Sequence, residues 1–254
     1  MEILEHLGLL VISLVANMLS AMAGGGAGLL QLPALIFLGL PFSMALATHK
    51  IATVALGVGA TIKHSREKHV QTGFALFILS TGLPGVVVGA KTILTVPDAW
   101  AKIALGMLTI GLGLYSYFKK QLGQTHEDKR RDTRGMIIGG TVLFILGFIN
   151  GSLASGAGLF VTLWLVVWFG FDYKHAVAYT MILVGLFWNG TGAITLALLT
   201  PVKWEWLPAL LVGSVLGGYF GTVIAVNYGN QFIKRIFEFI TISAGLSLIL
   251  HAML

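Results

Sequence analysis

The chain has no cysteine in its 254 residues, which excludes disulfides, thiol catalysis and thiolate metal sites. It is also poor in charge. Only 10% of its residues are Asp, Glu, Lys or Arg, against about 25% in a soluble domain. A soluble fold with so few charges cannot cover its surface. Lys50 apart, the stretches 7–62, 70–90 and 135–171 carry no charged residue. Apolar sequence fills them, and 56% of the chain is hydrophobic. A bilayer span needs about 20 mostly apolar residues, and several of these runs are long enough. The composition implies an all-α, polytopic integral membrane protein.

The net charge of +6 does not point to nucleic acid. Lys and Arg sit mainly in two short loops between apolar runs, as in cytoplasmic loops. Loop 63–70 carries Lys63, Arg66 and Lys68 against Glu67, and loop 119–134 carries six basic and three acidic residues. The N-terminus has Glu2 and Glu5 where a signal peptide has positive charge, so it is expected to remain as part of the first membrane segment.

Apolar segments are expected at 4–23, 28–39, 42–62, 71–90, 99–118, 135–153, 157–169, 176–199, 206–226 and 233–252, with 28–39 and 157–169 unusually short. The two halves repeat. GAGL occurs at 26–29 and 156–159, an offset of 130. Further on the offset is 132, pairing Thr48 with Thr180, Gly85 with Gly217, Gly89 with Gly221 and Lys102 with Lys234. A duplicated unit follows: a first repeat 1–118, a basic linker 119–134 and a second repeat 135–254. The basic side swaps between halves, since the counterpart of loop 63–70 holds only Lys203 and Glu205 while Lys234-Arg235 follows the counterpart of the turn 91–98. This favours inverted repeats of about four to five segments each. An odd number of crossings per half is required, and five satisfies it if the short pieces cross. Both termini are then outside.

Chemistry is expected first at Gly24, Gly25, Gly26 and Gly28, where serial glycines open the backbone. They break the helix and start a half-helix whose N-terminus favours an anion. The counterpart holds Ser152, Ser155, Gly156 and Gly158. Broken helices at matching places in two repeats point to a transporter's binding site, whereas small residues alone also permit close helix packing. The second expectation is Thr48-His49-Lys50. A cation at membrane depth costs a few kcal/mol and marks function by default. Lys50 is suited to neutralise an anion and His49 to carry a proton near neutral pH. The plainer alternative is that both snorkel to the interface. Thr180, Asn189 and Asn150 complete the polar set, while Asn17 either lines the site or bonds between helices. Lys102 and Lys234 read as interfacial anchors, Glu238 as an i,i+4 partner of Lys234, and Trp100, Trp204 and Trp206 as an aromatic belt.

No HExxH, Walker-type or GxSxG pattern is present, so zinc hydrolysis and ATP-driven pumping are unsupported. Leu153-Ala154-Ser155-Gly156 resembles the serine motif of rhomboid proteases, with His175 or His251 as a base. The first half puts glycines and no nucleophile at that place, which disfavours an enzyme. An anion channel is the other alternative.

AGGGAGLLQLPALIFLGLP followed by ALATHK, and GFINGSLASGAGLF in the second half, resemble the two signatures of the sulfite exporter TauE/SafE family. The resemblance spans nearly the whole chain. It implies a duplicated helical fold in a bacterial inner membrane, moving sulfite or organosulfonates with an ion gradient. It also places Gln31, within the first signature, among the substrate-binding residues. The sequence departs from the family pattern at Ala27, which is extra, at His49, often Asn, and at Asn150 and near Ser20, where Asp is common. With those acids gone, His49 is the proton-coupling candidate. The expected partners are a small anion and the lipid bilayer, with a homodimer left open; no cofactor and no metal is expected.

Overall fold

The computed structural model describes residues 2–64, 70–92, 107, 110–111, 113–153 and 157–253. The helices are α1 (Glu2–Ala23), α2 (Gly28–Phe37), α3 (Phe42–His64), α4 (Thr72–Thr92), α5 (Thr133–Leu153), α6 (Ala157–Phe169), α7 (Tyr173–Tyr179), α8 (Asn189–Ala197) and α9 (Leu207–Met253). A π-helical stretch, Thr180–Trp188, joins α7 to α8 without a break. Residues 113–118 are also helical, and the described residues include no strand. Six of the described helical stretches are long and apolar enough to cross a membrane. The two spans expected at 206–226 and 233–252 are the two arms of α9, which Gly229 breaks at φ 78°, ψ −173°. The expected segment 99–118 lies largely outside the described residues, as do Trp100, Lys102 and most of loop 63–70.

In α1 the pattern is inside-out relative to a soluble helix. Leu4, Leu7, Val11 and Val15, spaced to share one face, are exposed to the surroundings, while Ser13, Asn17 and Ser20 are buried. Lipid is as apolar as leucine, so burial gives little drive between helices and close backbone approach must hold them. Glycines provide it. A methyl added at Gly85 or Gly89 of α4 would strike the Phe144 or Phe148 carbonyl of α5. One added at Gly217 or Gly221 of α9 would strike the Leu14 or Met18 carbonyl of α1. Both pairings join helices from different halves, and the contacts recur at the sequence offsets.

The two short helices do not cross. α6 ends against the linker that precedes α5: Glu127 and Lys129 donate backbone N–H to Gly170 and Phe169 carbonyls. Arg130 covers the last carbonyls of α6, Val167 and Trp168, as a cation at a helix C-terminus should. Likewise Leu35 and Leu40, at the end of α2, pack with Leu9 near the start of α1 and with Trp206. In each half the short helix therefore folds back along the helix before it. This corrects the expectation of five crossings per half. The physical reason is length: 10 and 13 residues rise about 15 and 20 Å, short of the ~30 Å hydrocarbon core.

Lys234 also departs from expectation. It is only 6% exposed, and instead of anchoring at an interface its ammonium donates to Glu238 and to the carbonyl and hydroxyl of Ser116. The i,i+4 partnership with Glu238 holds. Trp204 is exposed in the short turn Trp204–Trp206, while Trp206 is packed inside.

Asp172 caps α7, accepting from the backbone N–H and the ring Nδ1–H of His175, both at 2.8 Å. Burial alone raises its pKa, but the two bonds from His175, together with the electrostatic pull of the His175 and His126 rings, outweigh this and hold the carboxyl below its usual range. A lowered folded-state value stabilises above the ordinary carboxylate pKa, and the gain is lost as pH falls through the folded value. Asp172→Ala should therefore cost about 1 kcal/mol in thermal melts near neutrality. The difference from wild type should vanish in acid; a difference that is independent of pH would contradict this account of the cap.

Candidate functional site

The glycine run Gly24-Gly25-Gly26 has φ of 84°, 141° and 98°, a region open to glycine but costly for other residues. Gly24 and Gly25 donate to the Ser20 carbonyl and close α1, and α2 starts at Gly28 with no side chain capping it. The second half starts its short helix at Ala157. The two breaks touch. An added Cβ on Gly25 would lie 2.6 Å from the Cα and C of Gly158 and from the N of Leu159, and Thr162 Oγ1 donates to the Gly24 carbonyl at 2.8 Å. Two half-helices of about 15 and 20 Å thus meet N-terminus to N-terminus. Their summed length of about 35 Å is close to the bilayer core, so the junction falls near mid-depth.

A small cavity lies at this junction. Its walls include Ser20, Gly25, Gly26, Gly28, His49, Thr53, Asn150, Gly158, Met181, Gly185 and Asn189. It leaves about 30 Å³ for the centres of water-sized molecules, where one water needs about 10–15 Å³. A four-atom oxyanion enters only if the walls part. One wall is the π-helical stretch, a feature frequent at functional sites, and its Gly185 packs directly on Gly57.

Lys50 is fully buried. Its stem passes beside Gly192, where an added Cβ would meet Lys50 Cε and Val86 Cγ1 at 3.5 Å each, an ordinary contact. Its ammonium donates to Asn150 Oδ1 at 2.8 Å and Asn189 Oδ1 at 3.0 Å. Among the described residues no carboxylate reaches it. An ammonium only donates, so both asparagine amides are oriented with oxygen toward it, and the Asn150 amide nitrogen donates to Asn189 Oδ1 at 3.3 Å. The Asn189 NH2, on the cavity wall, has no protein acceptor among the described residues. A buried cation lacking an anion, beside two positive helix ends and a free amide donor, is an environment for a negative ligand.

Of the residues expected from sequence, Gly25, Gly26, Gly28, His49, Asn150, Gly158 and Asn189 line the cavity, and Lys50 and Gln31 stand directly behind its wall. Gly24 is held by Thr162 at the junction. Thr48, one residue before His49 on α3, accepts from the Lys203 backbone N–H. Thr180 Oγ1 lies within hydrogen-bond distance of the Ala176 carbonyl and of Thr162 Oγ1, and Ser152 donates back to the Phe148 and Ile149 carbonyls. These three hydroxyls are spent elsewhere. Ser155 and Gly156 lie outside the described residues. His175 is bound to Asp172 at the end of α6, remote from the breaks. Asn17 bonds Ser13 and Ser214 between α1 and α9. Ser20, Thr53 and Met181 were not expected to line the cavity. Ser20 is buried, and its hydroxyl has no partner among the described residues; the family's acidic residue near this position was the signal for it.

The family described as sulfite exporter TauE/SafE matches residues 9–248. A probable membrane transporter protein of Haemophilus influenzae is 30% identical over 227 residues, covering 89% of this chain and 87% of that protein. The probable membrane transporter protein YfcA of Escherichia coli K12 is 30% identical over 231 residues, covering 89% and 82%. The probable membrane transporter protein ORF9 of a Sinorhizobium species is 28% identical over 242 residues, covering 95% and 91%. No solved structure matches.

Proposed function

The chain belongs to the sulfite exporter TauE/SafE family of membrane transporters, and on that premise we propose that it is a secondary permease for a small anion, sulfite or an organosulfonate, in a bacterial inner membrane. The observation that carries the reading is Lys50: a buried cation with no carboxylate beside it among the described residues, held by two asparagine oxygens where two half-helix N-termini meet. A nearly closed cavity supports a carrier over a channel. An ion gradient drives the cycle, and His49, on the cavity wall, is the residue at which a proton is exchanged, neutral while the anion is bound. Flux into proteoliposomes tests this, with sulfite, sulfoacetate, taurine and carboxylates under an imposed pH gradient. Saturable, gradient-driven flux of one anion class is expected. Unsaturable conductance would replace the carrier with a channel.

The repeats are inverted in this reading. The hairpins of the two halves open to opposite sides, because the start of α1 contacts the turn after α8 through His6 and Glu205, while the start of α5 adjoins the linker that follows the first half. Three crossings per half then satisfy the odd-number requirement. Loops 63–70 and 119–134 are cytoplasmic and both termini are outside. The chain has no cysteine to interfere, so single cysteines report cleanly. Cysteine in either basic loop should be shielded from impermeant thiol reagents added outside, and cysteine at position 203 should be labelled. Shielding at all three would mean parallel repeats.

A further inference from the structure

Behind His49 runs a hydrogen-bond chain whose direction is fixed from its far end. Ser13 Oγ lies 2.6 Å from the Leu210 carbonyl. A carbonyl only accepts, so the Ser13 proton points there. Ser13 Oγ is thereby left to accept, and at 3.1 Å it takes the Gln31 Nε2. That orients the amide. Were Gln31 turned over, Ser13 would face two acceptors with one proton. Gln31 Oε1 therefore faces His49 Nδ1, 2.8 Å away, and Nδ1 must carry a hydrogen. Ser13, Gln31 and His49 are all buried, so water does not substitute for any link.

His49 lines the cavity, and Gln31 occupies its Nδ1 edge. The edge left for the cavity carries Nε2, which in the neutral ring is a lone pair. The rest of the wall offers donors: the Asn189 NH2, the half-helix N-termini and the Lys50 charge behind it. An anion seated here meets donors around its negative oxygens and an acceptor at His49.

We propose that His49 selects the protonated form of the substrate: the anion that fits carries one acidic hydrogen, as hydrogen sulfite does, and donates it to Nε2. Fully ionised sulfite and the sulfonate head group place a lone pair against a lone pair there. The charge agrees, since a monoanion matches the single ammonium of Lys50. Among the described residues the cavity lining holds no ionisable group besides His49, and Lys50, next to it on the same helix, stands behind the wall; α1 contributes Ser20 to the lining, α5 Asn150 and the 173–197 helix Asn189, while α2 meets His49 with Gln31. The proposal rests on the anion-site reading and narrows its substrate.

The test is calorimetric binding of sulfite and of methanesulfonate to the purified chain, on the acid and alkaline sides of sulfite's second ionisation. Methanesulfonate keeps one charge and has no acidic hydrogen, so it reports any titration of the protein itself. Wild type should bind sulfite about 10-fold more tightly on the acid side, with methanesulfonate weaker and unchanged by pH. His49→Phe and Gln31→Met should each reduce the sulfite pH ratio toward one. Nitrogen NMR of histidine-labelled protein should show His49 protonated at Nδ1 and not at Nε2, a signature that a merely structural histidine need not have. Equal pH responses of the two anions in wild type would overturn the proposal, as would a His49 carrying its hydrogen on Nε2. Failure of both anions to bind wild type at any pH would instead remove the anion site, and the proposal with it.

Discussion

Lys50→Ala is expected to weaken sulfite binding by at least about 30-fold while the protein still inserts. Removing one partner from a buried, hydrogen-bonded charge pair costs about 2–5 kcal/mol, which spans roughly 30- to several thousand-fold in Kd. The remaining positive field cannot make up the loss. Each half-helix N-terminus contributes about half an elementary charge at most, and that charge is spread over several N–H groups. The two asparagine oxygens that bound the ammonium are left facing an anion, or must turn over at some cost. Lys50→Met keeps the stem beside Gly192 and separates packing from charge. Lys50→Arg should also fail, because a planar fork does not fit a slot built for a compact ammonium. The measurement is calorimetry on folded protein. Ordinary affinity in Lys50→Ala would mean that the anion rests on backbone and amide donors alone.

Gly25→Ala should be severely damaging for a change of a single methyl group. At φ 141° an alanine is strained by about 1–3 kcal/mol. The methyl would also sit 2.6 Å from three backbone atoms of Gly158 and Leu159, and backbone cannot swing aside as a side-chain end can. The two half-helices must separate, so a loss of about 3 kcal/mol or more in thermal stability is expected, with flux abolished. Gly39→Ala is the internal control. It has a similar positive φ of 96° with nothing within 4 Å of an added Cβ, so it should show the strain without the clash. If Gly25→Ala melts and transports like wild type, the breaks do not meet as described.

Much of this was legible in the sequence because membrane proteins show their lipid-facing composition openly. Charge-free runs marked the helices, and paired glycine clusters marked the breaks. Lys50 stood out because a lone charge in a long apolar run has few innocent explanations. The returns of α2 and α6 were less visible. A ten-residue apolar piece looks alike whether it goes on or turns back, and only contacts with Leu9 and with the linker decide it. Lys234 was misjudged because a lysine near a helix start commonly anchors at an interface; its acceptor Ser116 lies 118 residues away, beyond any local pattern. Ser152 and Ser20 show the same limit at finer scale. Both are serines beside a break, but one hydroxyl is captured by its own helix and the other is turned into the cavity, and a rotation of α1 or α5 decides which. The π-helical stretch has no compositional mark at all.

The crossed glycine contacts have a consequence for ancestry. Gly85 on Phe144 and Gly217 on Leu14, then Gly89 on Phe148 and Gly221 on Met18, are the same two contacts each made twice with the partners exchanged. That is the property of an isologous interface between identical subunits. Under the proposed inverted topology, the single chain has the anatomy of a homodimer whose protomers, inserted in opposite orientations, were later joined by a basic tether. In such a dimer the central cavity would have had two equal walls. Fusion let them diverge, so that one half came to hold the histidine and lysine and the other both asparagines that bind that lysine. Asymmetry at the centre is what a symmetric ancestor could not have had, and here it is concentrated where the anion is proposed to bind.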